Sequence, residues 1–312
     1  MPPTTTDKLD ADAAYPEVVA LRPALRDHDW AALSAVFADA DAATTTQLVG
    51  AVAAWGGAEN LLQPRLQREP ADRLAQTLFG AALVHKGWRI RTRATADWVT
   101  DDQFARFHDH LRRAERILID VTARWPDDVA AWTQRITLSR GLGLGLAETR
   151  RRYDRLARHE PHHLAAQAEM LQQLCPKWGG EWAAVDAFAR DCTEVAPPGA
   201  PQAVLIAQAH RERGMEYDDL RGLRDYLRTA DVSEEIHAAA DRSVRHPDFR
   251  HTIGWVRVRS TFALVFHLMG EHPAAREQFE ALGPYGDPTV FGDSASWFAE
   301  ARAEAYAKGG TR

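Results

Sequence analysis

One spacing recurs along the middle of this chain and limits what it can become. Leu111, Ala114, Leu118 and Val121 fall at intervals of three, four and three, and Pro126 follows. The pattern returns at Leu146, Thr149, Tyr153 and Leu156 before Pro161. It returns again at Trp182, Val185, Ala189 and Cys192 before Pro197. A fourth start, Tyr217, Leu220, Arg224 and Leu227, lacks the proline and puts an arginine in one slot. The starts lie 35, 36 and 35 residues apart. Steps of three and four put each set on one face of a helix, and the proline ends that helix. A period of this length, with two helices per unit, belongs to stacked helical hairpins. One hairpin cannot cover its own apolar stripe, so a neighbour must.

Three further copies flank the array. They are Trp30, Leu33, Phe37, Ala40; Trp55, Ala58, Leu62, Arg65; and His272, Ala275, Phe279, Leu282. The clearest single helix spans 101–124, with Thr100 or Asp101 as its cap. Val256–Arg259 alternates like a strand, but Phe262, Val265, Phe266 and Met269 continue it at helical spacing. The expected fold is therefore all-α, with tetratricopeptide-like (TPR-like) helical-hairpin repeats stacked as an α-solenoid. The polar segment 1–14 reads as a disordered tail. Residues 15–308 read as a single helical repeat domain, with core repeats over about 100–230 and a C-terminal repeat over about 255–285. The long gap from Tyr217 to His272 implies an insertion at 231–253.

Composition narrows the function classes. The net charge of -6 argues against wholesale binding to nucleic acid or an acidic membrane surface. No apolar run is long enough for a membrane helix, and Met1–Asp7 lacks the marks of a signal peptide. The two cysteines, Cys175 and Cys192, form no ligand pattern and suit a reducing cytoplasm. Gly141-Leu142-Gly143-Leu144-Gly145 lacks the Gly-Lys-Ser/Thr ending of a phosphate loop and reads as a turn. Asp101-Asp102 and Asp218-Asp219 fall at helix starts and read as caps rather than a catalytic pair. No nucleophile–histidine arrangement is present; neither metal nor cofactor is expected, and no catalytic residue is assigned.

Between two helical segments lies Lys177-Trp178-Gly179-Gly180-Glu181-Trp182. It is followed by Phe188-Ala189-Arg190 and by Ala209-His210-Arg211-Glu212. In these residues the chain resembles an uncharacterised group of bacterial TPR-like proteins, a domain of unknown function. That group is marked by a Trp-Gly-Gly-Ser-type segment opening a helix with a Phe-Ala-Arg run. Glu181 stands where the resemblance implies Ser, which removes a capping hydroxyl. The repeat accounts for Gly180 and Trp182. It does not require Lys177 or Trp178, which makes them candidates for binding.

Other candidates come from chemistry. His210 follows Ala203, Ile206 and Ala207 on one helical face. A histidine turned inward needs a partner, and Glu169 or Glu115 from other helices could supply it. Glu212, two residues on, diverges from it. Lys86, Arg89, Arg91 and Arg93, interrupted by Trp88, form one basic segment. Arg150, Arg151, Arg152, Arg155 and Arg158 form another, read as a solvated helix face. The preferred function is a non-catalytic cytoplasmic scaffold that binds a protein or peptide segment through Trp88, Arg91, Arg93, Lys177 and Trp178. The second class is an accessory or tailoring enzyme or small-molecule sensor with a pocket inside the solenoid near His210 and Trp178; Glu212 is a further binding candidate.

Overall fold

In a computed structural model, residues 9–92 and 98–310 are described, and among them every regular element is helical. The chain divides into two compact units. One is Pro16–Gly180. The other runs from Glu181 to the C-terminus and includes the segment that ends at Tyr15. The division falls between Gly180 and Glu181, at the end of the Trp-Gly-Gly turn.

The first unit holds α1 (Pro16–Arg26), α2 (Trp30–Val36), α3 (Ala42–Ala54), α4 (Ala58–Arg68), α5 (Arg73–Arg91), α6 (Asp101–Arg124), α7 (Val129–Gly141), α8 (Leu146–Ala157) and α9 (Leu164–Leu174). Helix α6 matches the expected span. Thr100 caps it by accepting from the Gln103 N–H, and the Gln103 side chain accepts from the Thr100 N–H in return. That reciprocal box satisfies two donors that a helix start leaves open. Leu111, Ala114, Leu118 and Val121 are all fully buried, in a core shared with Leu83, Val84, Ala131 and Leu138. Helix α5 lies close along α6 because Gly80 faces Leu118, and a Cβ there would come within 2.6 Å of the leucine Cδ2. From α3 to α9 consecutive helices touch, and so do alternate ones: α3 with α5, α5 with α7, and α7 with α9.

The repeat positions are not equivalent. In α6 the first position, Leu111, lies mid-helix and is buried by α5. In α8 it is the first helical residue, Leu146, and it is 37% exposed. The next three positions of α8 are buried.

The second unit holds α10 (Trp182–Val195), α11 (Val204–Gly214), α12 (Leu220–Leu227), α13 (Ala230–Arg242), α14 (Trp255–Met269), α15 (His272–Leu282) and α16 (Ala295–Lys308). The Val256–Arg259 segment is helical, as its continuation requires. The fourth repeat copy fails: Tyr217 lies in the turn before α12, and both it and Leu220 are exposed. Only Leu227 of that set is buried, because an eight-residue helix cannot carry the whole stripe inward. The expected insertion contains α13. Its last residue, Arg242, donates to the carbonyls of Thr193, Glu194 and Ala196. Those are among the orphan acceptors that a helix end leaves, so α13 closes the C-terminus of α10. In the segment expected to be a disordered tail, residues 11–14 form a 3-10 turn capped by Asp10. Tyr15 then accepts from the Val256 N–H at 3.1 Å. Burial pushes its phenol up to about 12.

Candidate functional site

Two clusters contain the residues that the sequence singles out, one in each unit. In Pro16–Gly180, Trp88 on α5 and Trp178 in the 3-10 turn after α9 meet edge to face, with ring centroids 6.3 Å apart. Trp88 also meets Phe107 at 5.0 Å and lies against the core. The Arg140 guanidinium, at the end of α7, lies 5.5 Å from both indole rings. A cation over a ring face is held by the ring quadrupole. Glu169 on α9 fixes that guanidinium through a 2.9 Å bond to Nη2. Arg91 stacks on Trp88 at 5.9 Å. Trp178 is tied to α9 by its carbonyl, which accepts from Gln173 Nε2 at 3.0 Å.

The structure therefore brings Trp88, Arg91 and Trp178 together and adds Arg140. Both tryptophans are half-buried, Lys177 beside them is exposed, and both indole N–H groups are buried without a protein acceptor. Arg93 lies outside the described residues. Nothing in the local spacing marks Arg140, because its partners are on three other elements.

In the second unit, His210 on α11 is buried. Its Nδ1 is 2.8 Å from the Tyr226 hydroxyl on α12, and its Nε2 is 2.8 Å from Glu235 Oε2 on α13. With the proton on Nε2, the imidazole donates to Glu235 and accepts from Tyr226. The expectation of a carboxylate from another helix holds, but its identity is corrected. Glu115 instead holds Arg135 and Arg152, and Glu169 holds Arg140. Sequence spacing cannot select Glu235, because its helix lies in the segment read as an insertion.

The network continues outward. Arg190 on α10 donates to both oxygens of Glu235, at 2.6 and 3.1 Å. Those bonds hold the Glu235 carboxyl below its usual range, with His210 adding to the effect. Burial pushes the Tyr226 phenol up, against the pull of Arg213. Arg213 in turn binds Asp186 at 2.6 Å and stacks over Trp182 at 5.1 Å. Glu212 is half-buried on α11, two residues from His210, an offset at which helix side chains diverge. His210 and Glu212 belong to one unit, and Trp178 to the other.

The basic segment at 150–158 is not a uniform solvated face. Arg151 is exposed, but Arg152 is 2% exposed and binds Glu148, Glu115 and the Arg135 carbonyl. The Glu148 carboxyl is drawn down to about 2, first by its bond to Arg151 and also by Arg152.

No family model matches this chain, and no curated protein matches it. Among the described residues, no three His, Cys, Asp or Glu side chains are placed to hold a metal ion. No described helix is long and apolar enough to cross a membrane.

Proposed function

We propose that this chain is a non-catalytic helical-repeat scaffold of TPR-like type, binding a protein or peptide segment in a bacterial cytoplasm. One observation carries the reading. Helices α3, α5, α7 and α9 touch in alternate succession while sequence neighbours also touch, which is how stacked hairpins bury a stripe that none can bury alone. The Trp88–Arg140–Trp178 cluster supplies aromatic faces and cationic heads beside the exposed Lys177. That chemistry suits an acidic segment carrying an aromatic or apolar anchor.

Co-purification from the native host, read by mass spectrometry, tests this. A protein that enriches with the wild type and is lost with Trp178→Ala supports the scaffold. A small molecule that co-purifies while no protein enriches contradicts it.

The Tyr226–His210–Glu235 alignment favours a second reading, as an accessory enzyme or sensor. A hydroxyl, an imidazole and a carboxylate in line can pass a proton. Against it, Glu235 is already committed to Arg190, and burial makes the Tyr226 phenol a weaker acid. Hydrolysis of p-nitrophenyl acetate above background, lost in His210→Gln, would favour the enzyme reading over the scaffold.

A further inference from the structure

The chain carries a second Trp-Gly-Gly segment, Trp55-Gly56-Gly57, between α3 and α4. It forms part of the wall of a cavity of about 430 Å³, completed by the start of α4 and by residues of α5 and α6. That volume is within the range of sites for small organic ligands, about 300–1,000 Å³.

The wall is cationic. Lys86, Arg89 and Arg106 line it against a single carboxylate, Glu59. Glu59 is taken by Lys86, at 3.0 and 3.1 Å. Among the described residues Arg106 pairs with Asp102 alone, at 3.6 Å, and both side chains are largely exposed. Arg89 is exposed and makes no hydrogen bond or ion pair within the described residues. His85 completes this side. Burial and the nearby Arg89 both hold its imidazole below the usual histidine range, so it is mostly neutral at pH 7. With His85 neutral, Lys86 on Glu59 and Arg106 on Asp102, Arg89 remains as the unmatched positive charge in the wall.

The Trp55-Gly56-Gly57 part of the wall is bare backbone and a flat ring. A Cβ at Gly56 would meet nothing within 4 Å, and Gly57 takes the left-handed region at φ +99. Helix α4 begins there without a side-chain cap, which adds its dipole to the same sign of field. Trp55 is 36% exposed and offers an indole face. Such a face stacks on planar rings.

From this juxtaposition we infer that the cavity binds a phosphate monoester carrying a planar ring, the chemical class of a mononucleotide. The dianion takes Arg89 as its main partner within the field of Lys86 and Arg106, and Trp55 receives the ring. This site is independent of the Trp88–Trp178 cluster and of the scaffold reading.

Isothermal titration of the full chain at low ionic strength, with AMP, inorganic phosphate and adenosine as separate probes, tests it. AMP is expected to bind saturably at one site, at least about tenfold more tightly than either phosphate or adenosine. Arg89→Gln should weaken AMP by about tenfold or more. Trp55→Ala should bring AMP to the affinity of phosphate. Both side chains are exposed, and an unchanged melting curve would confirm that each variant folds. Absence of saturable AMP binding overturns the inference. So does an Arg89→Gln variant that binds AMP like the wild type, or phosphate binding as tight as AMP.

Discussion

Arg152 grips Glu115 with both of its terminal nitrogens, Nη2 at 2.7 Å from Oε1 and Nη1 at 3.1 Å from Oε2. Arg135 reaches the same carboxylate at 3.1 Å and donates to Thr122 at 2.8 Å. One acid on α6 thus holds two buried arginines, from α7 and α8. Glu115→Gln is expected to destabilise the protein by about 3–5 kcal/mol, because it leaves two buried cations short of charge. The double variant Glu115→Leu with Arg152→Met should cost less than Glu115→Gln alone. Denaturant unfolding followed by circular dichroism checks both, and equal costs would refute the account.

His163 makes stability depend on pH. It caps α9 by accepting from the Ala166 N–H at Nδ1, at 3.2 Å, and its Nε2 lies 3.0 Å from the Thr46 hydroxyl. An accepting Nδ1 requires the neutral ring. Burial pushes the imidazole below its usual value, despite opposing pulls from the Ala42 backbone and Asp41. The unfolded chain, titrating near pH 6.5, therefore takes up a proton before the folded one does. Stability is full above that pH and falls as the pH drops toward the folded value. His267 and His85, both lowered mainly by burial, act in the same direction. The urea midpoint should be lower at pH 5.5 than at pH 8. His163→Asn, which keeps a capping acceptor but cannot titrate, should narrow that difference.

The two glycines of the Trp178 turn should respond differently to alanine. A Cβ at Gly180 would lie 2.0 Å from the Leu174 carbonyl oxygen, and backbone cannot move aside cheaply. Gly179 has open space but sits at φ +87. Gly179→Ala should cost about 1–2 kcal/mol for the left-handed backbone. Gly180→Ala should cost more, read from unfolding midpoints.

Trp88 and Trp178 should be energetically coupled. Each single alanine variant loses the edge-to-face contact and one stacking surface for Arg140. A double-mutant cycle is expected to give a coupling of about 0.5–1.5 kcal/mol. No coupling would mean that the two rings stabilise the fold separately.

Much of the helical framework is legible in the residues themselves. The α6 stripe, the helical reading of 255–269 and the turns at Pro126 and Pro161 follow from periodicity and proline chemistry alone. The partners do not follow. Glu235 satisfies His210 from a helix outside the repeat, and Arg140 is placed by Trp88, Trp178 and Glu169 on separate elements. Arg152 looks like one cation in a run of five, yet it is buried because Glu115 and the Arg135 carbonyl wait for it. Contacts of this kind depend on which helix faces which, and single-helix spacing carries no such information. Tyr217 fails in the other direction: its spacing fits the repeat, but the helix that should carry it starts three residues later.

The central claim is that a protein segment docks at the Trp88–Arg140–Trp178 cluster. The most direct measurement places a benzophenone side chain at the exposed Lys177 and irradiates cells of the native host. The account predicts a defined protein adduct at that position, weakened when Trp178→Ala is added to a variant that still folds. No protein adduct at Lys177, or an adduct indifferent to Trp178→Ala, would contradict it.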